Sequence, residues 1–154
     1  MKAILGIGVA FVLAMASGST LAQSVKSVAG TYTIVTQPAF GDNPRGRLVL
    51  GSDGRFSLIL ARATLPKFAA GSRDKGSAEE NKAVVSGSIA NYGTYAIDAK
   101  DKTITLNMEA STYPNWDGAS QKRPLKIEGD KLSYTVGTPS MGGPPINVVW
   151  KRLK

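Results

Sequence analysis

The chain has 154 residues, enough for one domain with a respectable core, and its 19 lysines and arginines against 11 acids give a formal charge of +8. It contains no cysteine and no histidine. That excludes disulfides, Ser-His and Cys-His nucleophile pairs, His-ligated haem and the ordinary zinc sites, so no metal or cofactor is expected and any catalysis would run on carboxylates, tyrosine, lysine or arginine.

Residues 1–22 read as a secretory signal. Lys2 supplies the positive start, and positions 3–16 form an uncharged apolar stretch too short to span a membrane comfortably. Thr20 and Ala22 place small residues where a signal peptidase needs them, so cleavage is expected after Ala22. With no cysteine to acylate, lipid anchoring is disfavoured. The expected product is an exported protein of the periplasm or the extracellular space, comprising residues 23–154 with no membrane span. Losing Lys2 and no acid lowers its charge from +8 to +7. The basic residues are scattered and interleaved with acids, with no run beyond Lys122-Arg123 and Lys151-Arg152. Such a distribution argues against nucleic acid as a partner.

From position 28 the chain reads as short strand-like runs separated by Gly, Pro, Asn and Asp. The first run is 28–37. The second, 46–51, joins the third, 55–62, through Ser52-Asp53-Gly54, a hairpin turn because glycine accepts the positive φ required there. A polar loop over 63–76 follows. Ser77-Ala78-Glu79-Glu80 then has capping-box spacing and opens a helix to about position 89, weakened by Gly87 and the β-branched Val84 and Val85. The remaining strands are expected at 91–98, 102–113, 121–127, 131–136 and 146–153. Ala99-Lys100-Asp101 and Glu128-Gly129-Asp130 mark tight reversals, and 138–145 is a Gly/Pro-rich connection.

Eight meandering strands in an open sheet would leave two unpaired edges, and closure removes them. The expectation is therefore an all-β fold: an eight-stranded antiparallel barrel, closed or nearly so, with one short helix between strands three and four. Such a barrel is wide enough to be filled by side chains or to hold one small molecule.

Strand alternation selects candidate interior polar groups. Arg62 shares a face with Phe56, Leu58 and Leu60, and Arg123 shares one with Leu125 and Ile127. A guanidinium in an apolar interior needs a carboxylate, carbonyls, water or a bound anion. In the fifth strand Ile104, Leu106, Met108 and Ala110 alternate with Thr105, Asn107, Glu109 and Ser111. The default places the apolar set inside and Glu109 in solvent. The alternative turns Glu109 into the lumen beside Arg62 or Arg123.

Tyr113-Pro114-Asn115-Trp116-Asp117-Gly118 forms an aromatic corner that, with Tyr92, Tyr95, Tyr134 and Trp150, lines a cavity mouth on one reading and is a packed plug on the other. Three functions fit these residues. The leading one is binding of a small apolar or amphipathic ligand, lipid-like or aromatic and anionic if the arginines face it, through Arg62, Tyr92, Tyr95, Glu109, Tyr113, Asn115, Trp116, Arg123 and Tyr134. The second is a barrel enzyme of cyclase or isomerase type that moves a proton with Glu109 or a tyrosine. The third is a structural envelope protein with a filled barrel.

Seven short motifs in order carry a family resemblance: Gly30-Thr31-Tyr32, Pro44-Arg45-Gly46, Pro66-Lys67-Phe68, Asn91-Tyr92-Gly93-Thr94-Tyr95, the stretch 109–116, Gly129-Asp130-Lys131-Leu132 and Val149-Trp150-Lys151-Arg152. Together they resemble the bacterial lipocalin-like domain family across nearly all of residues 23–154. The resemblance implies a calycin-type barrel with a cavity for a small, largely apolar molecule and no shared catalytic residues. Tyr32 stands where tryptophan is usual. By the same resemblance, Arg152 is the late basic residue that packs over that ring at the closed end, a cation–π contact of about 0.5–2 kcal/mol.

Overall fold

The computed structural model describes residues 25–154, so the leader expected at 1–22 lies outside the described residues. After a helical turn at 25–28, eight strands follow in order. They are β1 (Gly30–Thr36), β2 (Arg45–Leu50), β3 (Arg55–Ala61), β4 (Ser88–Asp98), β5 (Thr103–Ser111), β6 (Ser120–Glu128), β7 (Lys131–Val136) and β8 (Ile146–Arg152). Each pairs antiparallel with the next, and β1 pairs with β8 through Tyr32 opposite Arg152 and Ile34 opposite Trp150, closing the barrel. The eight-stranded meander expected from the turn spacing is the fold that forms.

The helix α1 (Ala78–Gly87) joins β3 to β4 as expected. Its capping box is complete: Ser77 Oγ accepts from the Glu80 N–H at 3.2 Å, and Glu80 Oε2 accepts from the Ser77 N–H at 2.8 Å. The other oxygen of Glu80 accepts from the Ala69 N–H at 2.8 Å, which ties the preceding loop to the helix start. The helix stops at Gly87, and β4 begins at Ser88, three residues before the expected start of that strand. Backbone pairing of Ser88 with Ala61 and Ile89 with Leu60 claims those positions for the sheet. The first strand likewise starts at Gly30 because Val28 belongs to the helical turn.

The Asp-Gly hairpin forms with Gly54 at φ 81°. Inside, apolar side chains from every strand but β6 form one core that includes Tyr32, Leu48, Phe56, Leu106, Leu132 and Trp150, while β6 adds only the partly buried Leu125, and its Ile127, expected to face inward with Arg123, is exposed. Two positions depart from regular pairing. In β5, Met108 and Ala110 face the adjacent residues Gly93 and Tyr92, so Glu109 is the extra residue of a bulge. The backbone approaches so closely that a Cβ on Gly93 would sit 2.0 Å from Asn107 O, a place only glycine can occupy. In β6, only Leu125 to Glu128 pair with β7, and the Ser120 to Pro124 half of the strand has no partner on that side. Pro124, which lacks an N–H, sits where that pairing ends.

The two ends of the barrel differ. One is shut by the tight turns after β2, β4 and β6 and by the 25–28 turn. The other carries the long connections: the turn Pro38–Phe40 after β1, α1 and its loop, the turn Pro114–Trp116 after β5, and residues 137–145 before β8.

Candidate functional site

At the end with the long connections lies a cavity of about 40 Å³. Its wall is largely apolar, with Leu58, Leu60, Ile89 and Val136 from the strands and Phe40 and Met141 from the rim. Set into this wall are Arg123, Asn91, Gln37, Tyr134 and Trp116. Among the described residues no aspartate or glutamate lines it.

Arg123 is the site's central feature. Strand alternation in β6 turns it inward, where it is 4 % exposed. Its guanidinium stacks on the Tyr134 ring, 4.9 Å from the centroid, and lies 5.9 Å from the Trp116 centroid. One terminal nitrogen donates to Gln121 Oε1 at 2.6 Å. Its Nε, however, is buried with no hydrogen-bond partner among the described residues, and so is Asn91 Oδ1. None of the ion pairs found among the described residues includes Arg123; they join exposed side chains such as Lys122 and Asp101.

The magnitudes decide what this means. Two cation–π contacts contribute roughly 0.5–2 kcal/mol each, whereas burying a charge costs several kcal/mol after relaxation. The aromatic rings alone do not offset the desolvation. Burial accordingly pushes the Arg123 guanidinium below its ordinary pKa against the pull of Tyr134, although a guanidinium remains charged at neutral pH. Burial also raises the Tyr134 hydroxyl, opposed by the Arg123 charge and by the donors of Trp150 and Arg123. Those donors flank the hydroxyl without completing a bond from Trp150 Nε1 or Arg123 Nε, both of which stay unpartnered.

The nine residues expected at the site divide. Trp116, Arg123 and Tyr134 line the cavity. Tyr113 is half-buried behind Trp116, edge-on with ring centroids 5.6 Å apart. Asn115 is exposed on the same turn. Tyr95 points inward but at the shut end, where its hydroxyl donates to Gly51 O at 2.8 Å; it supports the plug, not the cavity. Tyr92, three residues away and therefore on the opposite face, is 52 % exposed.

Arg62 has the inward phase of its strand, yet β3 ends at Ala61. Its N–H donates to Gly87 O at 2.8 Å, and the side chain lies exposed beside α1. Glu109 takes the default placement in solvent, on the bulge, and does not meet either arginine. A proton transfer by Glu109 inside the barrel therefore has no geometric basis.

Sequence reasoning missed Asn91, Gln37, Phe40 and Met141. Asn91 was within reach of the alternation rule, since it shares the face of Gly93, Tyr95 and Ile97. The other three sit on irregular rim segments that carry no such phase.

A closed antiparallel barrel with a polar group set into an apolar wall at its open end defines a ligand-binding barrel as a class. The family model for the lipocalin-like domain matches residues 22–152, and the chain belongs to that family. Comparison with curated proteins and with solved structures returned no match.

Proposed function

We propose that this is an exported bacterial binding protein that takes a small amphipathic molecule into the Arg123 end of its barrel. The export reading is supported by Lys2, the uncharged stretch after it and the small residues at Thr20 and Ala22. The binding reading is carried by one observation: among the described residues, the apolar cavity behind the long connections is lined by a single charged group.

A water needs about 10–15 Å³ of such space, so 40 Å³ accommodates a few waters' worth of ligand with the rim closed. A longer molecule must displace the Phe40 turn and the Pro139 to Met141 segment, which are loops and cost less to move than strands.

The two tryptophans provide the test, because Trp116 borders the cavity and Trp150 is fully buried in the core. Titration with the neutral probes octanol and methyl octanoate should change the tryptophan emission, and the change should vanish in Trp116→Phe. Hydrogen exchange should slow at 37–44 and 137–145. No change in emission, exchange or melting temperature with either probe would leave the filled-barrel reading in its place.

A further inference from the structure

We propose that the ligand carries a single carboxylate and seats it on Arg123 at the floor of the cavity, with its hydrocarbon running toward Phe40 and Met141; this rests on the cavity being the binding site. Arg123 is buried, lines the cavity and keeps an Nε with no partner among the described residues, while Gln121 Oε1 accepts from a terminal nitrogen. A planar carboxylate matches the guanidinium fork and forms the short, charge-assisted bonds that a neutral acceptor does not.

Charge sets the class further. Arg123 is the only cation lining the cavity among the described residues. One guanidinium neutralises one negative charge, so a phosphate monoester with nearly two would leave net charge buried, which is costly. Asn91 provides a second polar group with an unmet bond. Its amide can present either oxygen or NH₂ after a flip, so it can serve the carboxylate or a neighbouring hydroxyl.

The stack itself has a role in this reading. Tyr134 and Trp116, with ring centroids 4.9 and 5.9 Å from the guanidinium carbon, hold the group in place without supplying a counter-charge. An arginine satisfied by carboxylates of its own chain could not accept another.

Isothermal titration with octanoate, methyl octanoate, octanol and octyl phosphate tests the proposal on the whole protein. Octanoate should bind roughly tenfold to a hundredfold more tightly than its methyl ester, the range expected for a hydrogen bond to a charged partner. Arg123→Gln should bring that ratio close to one while leaving the ester within a few-fold of its original affinity. Equal binding of acid and ester, preference for octyl phosphate, or an unchanged ratio in Arg123→Gln would overturn the carboxylate assignment and leave the binding reading intact. Failure of all four probes would overturn both.

Because Arg123→Gln can fold poorly, carbon NMR of carboxyl-labelled octanoate on the unaltered protein gives an independent readout. The bound signal should stay at its carboxylate position below the pH where free octanoate protonates. A bound signal that titrates with the free acid contradicts the proposal.

Discussion

The two ends of the barrel each hold an arginine stacked on a tyrosine, at the same 4.9 Å from the ring centroid, and the two differ in what else the guanidinium touches. At the shut end Arg152 lies over Tyr32 and donates to the carbonyls of Ala29 and, at 3.1 Å, Ser27. The Tyr32 hydroxyl in turn donates to Val28 O at 2.6 Å, so both members of the stack are bonded to the 25–29 segment that caps the barrel. At the open end Arg123 has Gln121 and an orphaned Nε. The same pair of residue types is thus a finished clamp in one place and an unfinished one in the other, and the unfinished one lines the cavity. This contrast separates architecture from binding within a single repeated contact.

The predictions test that separation, beginning with the largest. Trp150 is fully buried in the core, so Trp150→Ala should lose about 3–5 kcal/mol in chemical denaturation, with the acid-to-ester binding ratio unchanged in whatever fraction stays folded. A large shift in that ratio would show that the core and the cavity are not separate.

Arg152→Met removes two charge-assisted bonds and a cation–π contact, and a loss of about 2–3 kcal/mol is expected from the denaturation midpoint. A neutral result would mean that the clamp is ornamental and the contrast false.

Alkaline unfolding is the next test. Burial raises Tyr95 to about 12 and also raises Tyr32 against the pull of Arg152. The unfolded chain releases these protons near pH 10 while the folded chain keeps them, so stability is fully present below that pH and is lost as pH rises toward 12. Melting temperature followed across this window should fall, and tyrosinate absorbance should grow in step with unfolding. A flat profile would show that these hydroxyls are not held by the fold.

The smallest effect is the control. Lys122 lies next to Arg123 but points outward to Asp101 at 3.1 Å, with both side chains about half exposed. Lys122→Ala should cost no more than about 1 kcal/mol and leave octanoate binding unaltered. A strong loss of affinity would mean that charge outside the barrel, not Arg123, attracts the ligand.

How far the sequence discloses this picture depends on periodicity. Strand pattern and turn residues specify the closed eight-stranded meander, because every strand but β6 has an apolar face and the Asp-Gly and Gly-Asp reversals fix neighbours. The same rule places Arg123 inside and sets Tyr92 and Tyr95, three residues apart on β4, on opposite faces. It fails at Arg62, since phase says nothing once a strand ends, and the end is set by a bond to Gly87 that only the folded chain reveals. The bulge at Glu109 is similarly invisible: it depends on how closely Gly93 lets two backbones approach. Rim residues such as Phe40 and Met141 lie on irregular segments, where position follows from tertiary contacts and not from spacing.

The most direct test compares the denaturation midpoint of Arg123→Met with that of the parent protein, each with and without saturating octanoate. Replacing a buried charge that lacks a carboxylate partner with an apolar side chain of similar length is often neutral or stabilising. Without octanoate the variant should therefore lie within about 1 kcal/mol of the parent or above it. With octanoate the parent should gain stability by mass action and the variant should gain far less. If Arg123→Met instead loses as much as Arg152→Met, and octanoate stabilises both proteins equally, the open-end arginine is only a second structural clamp and the assignment of the carboxylate to it fails.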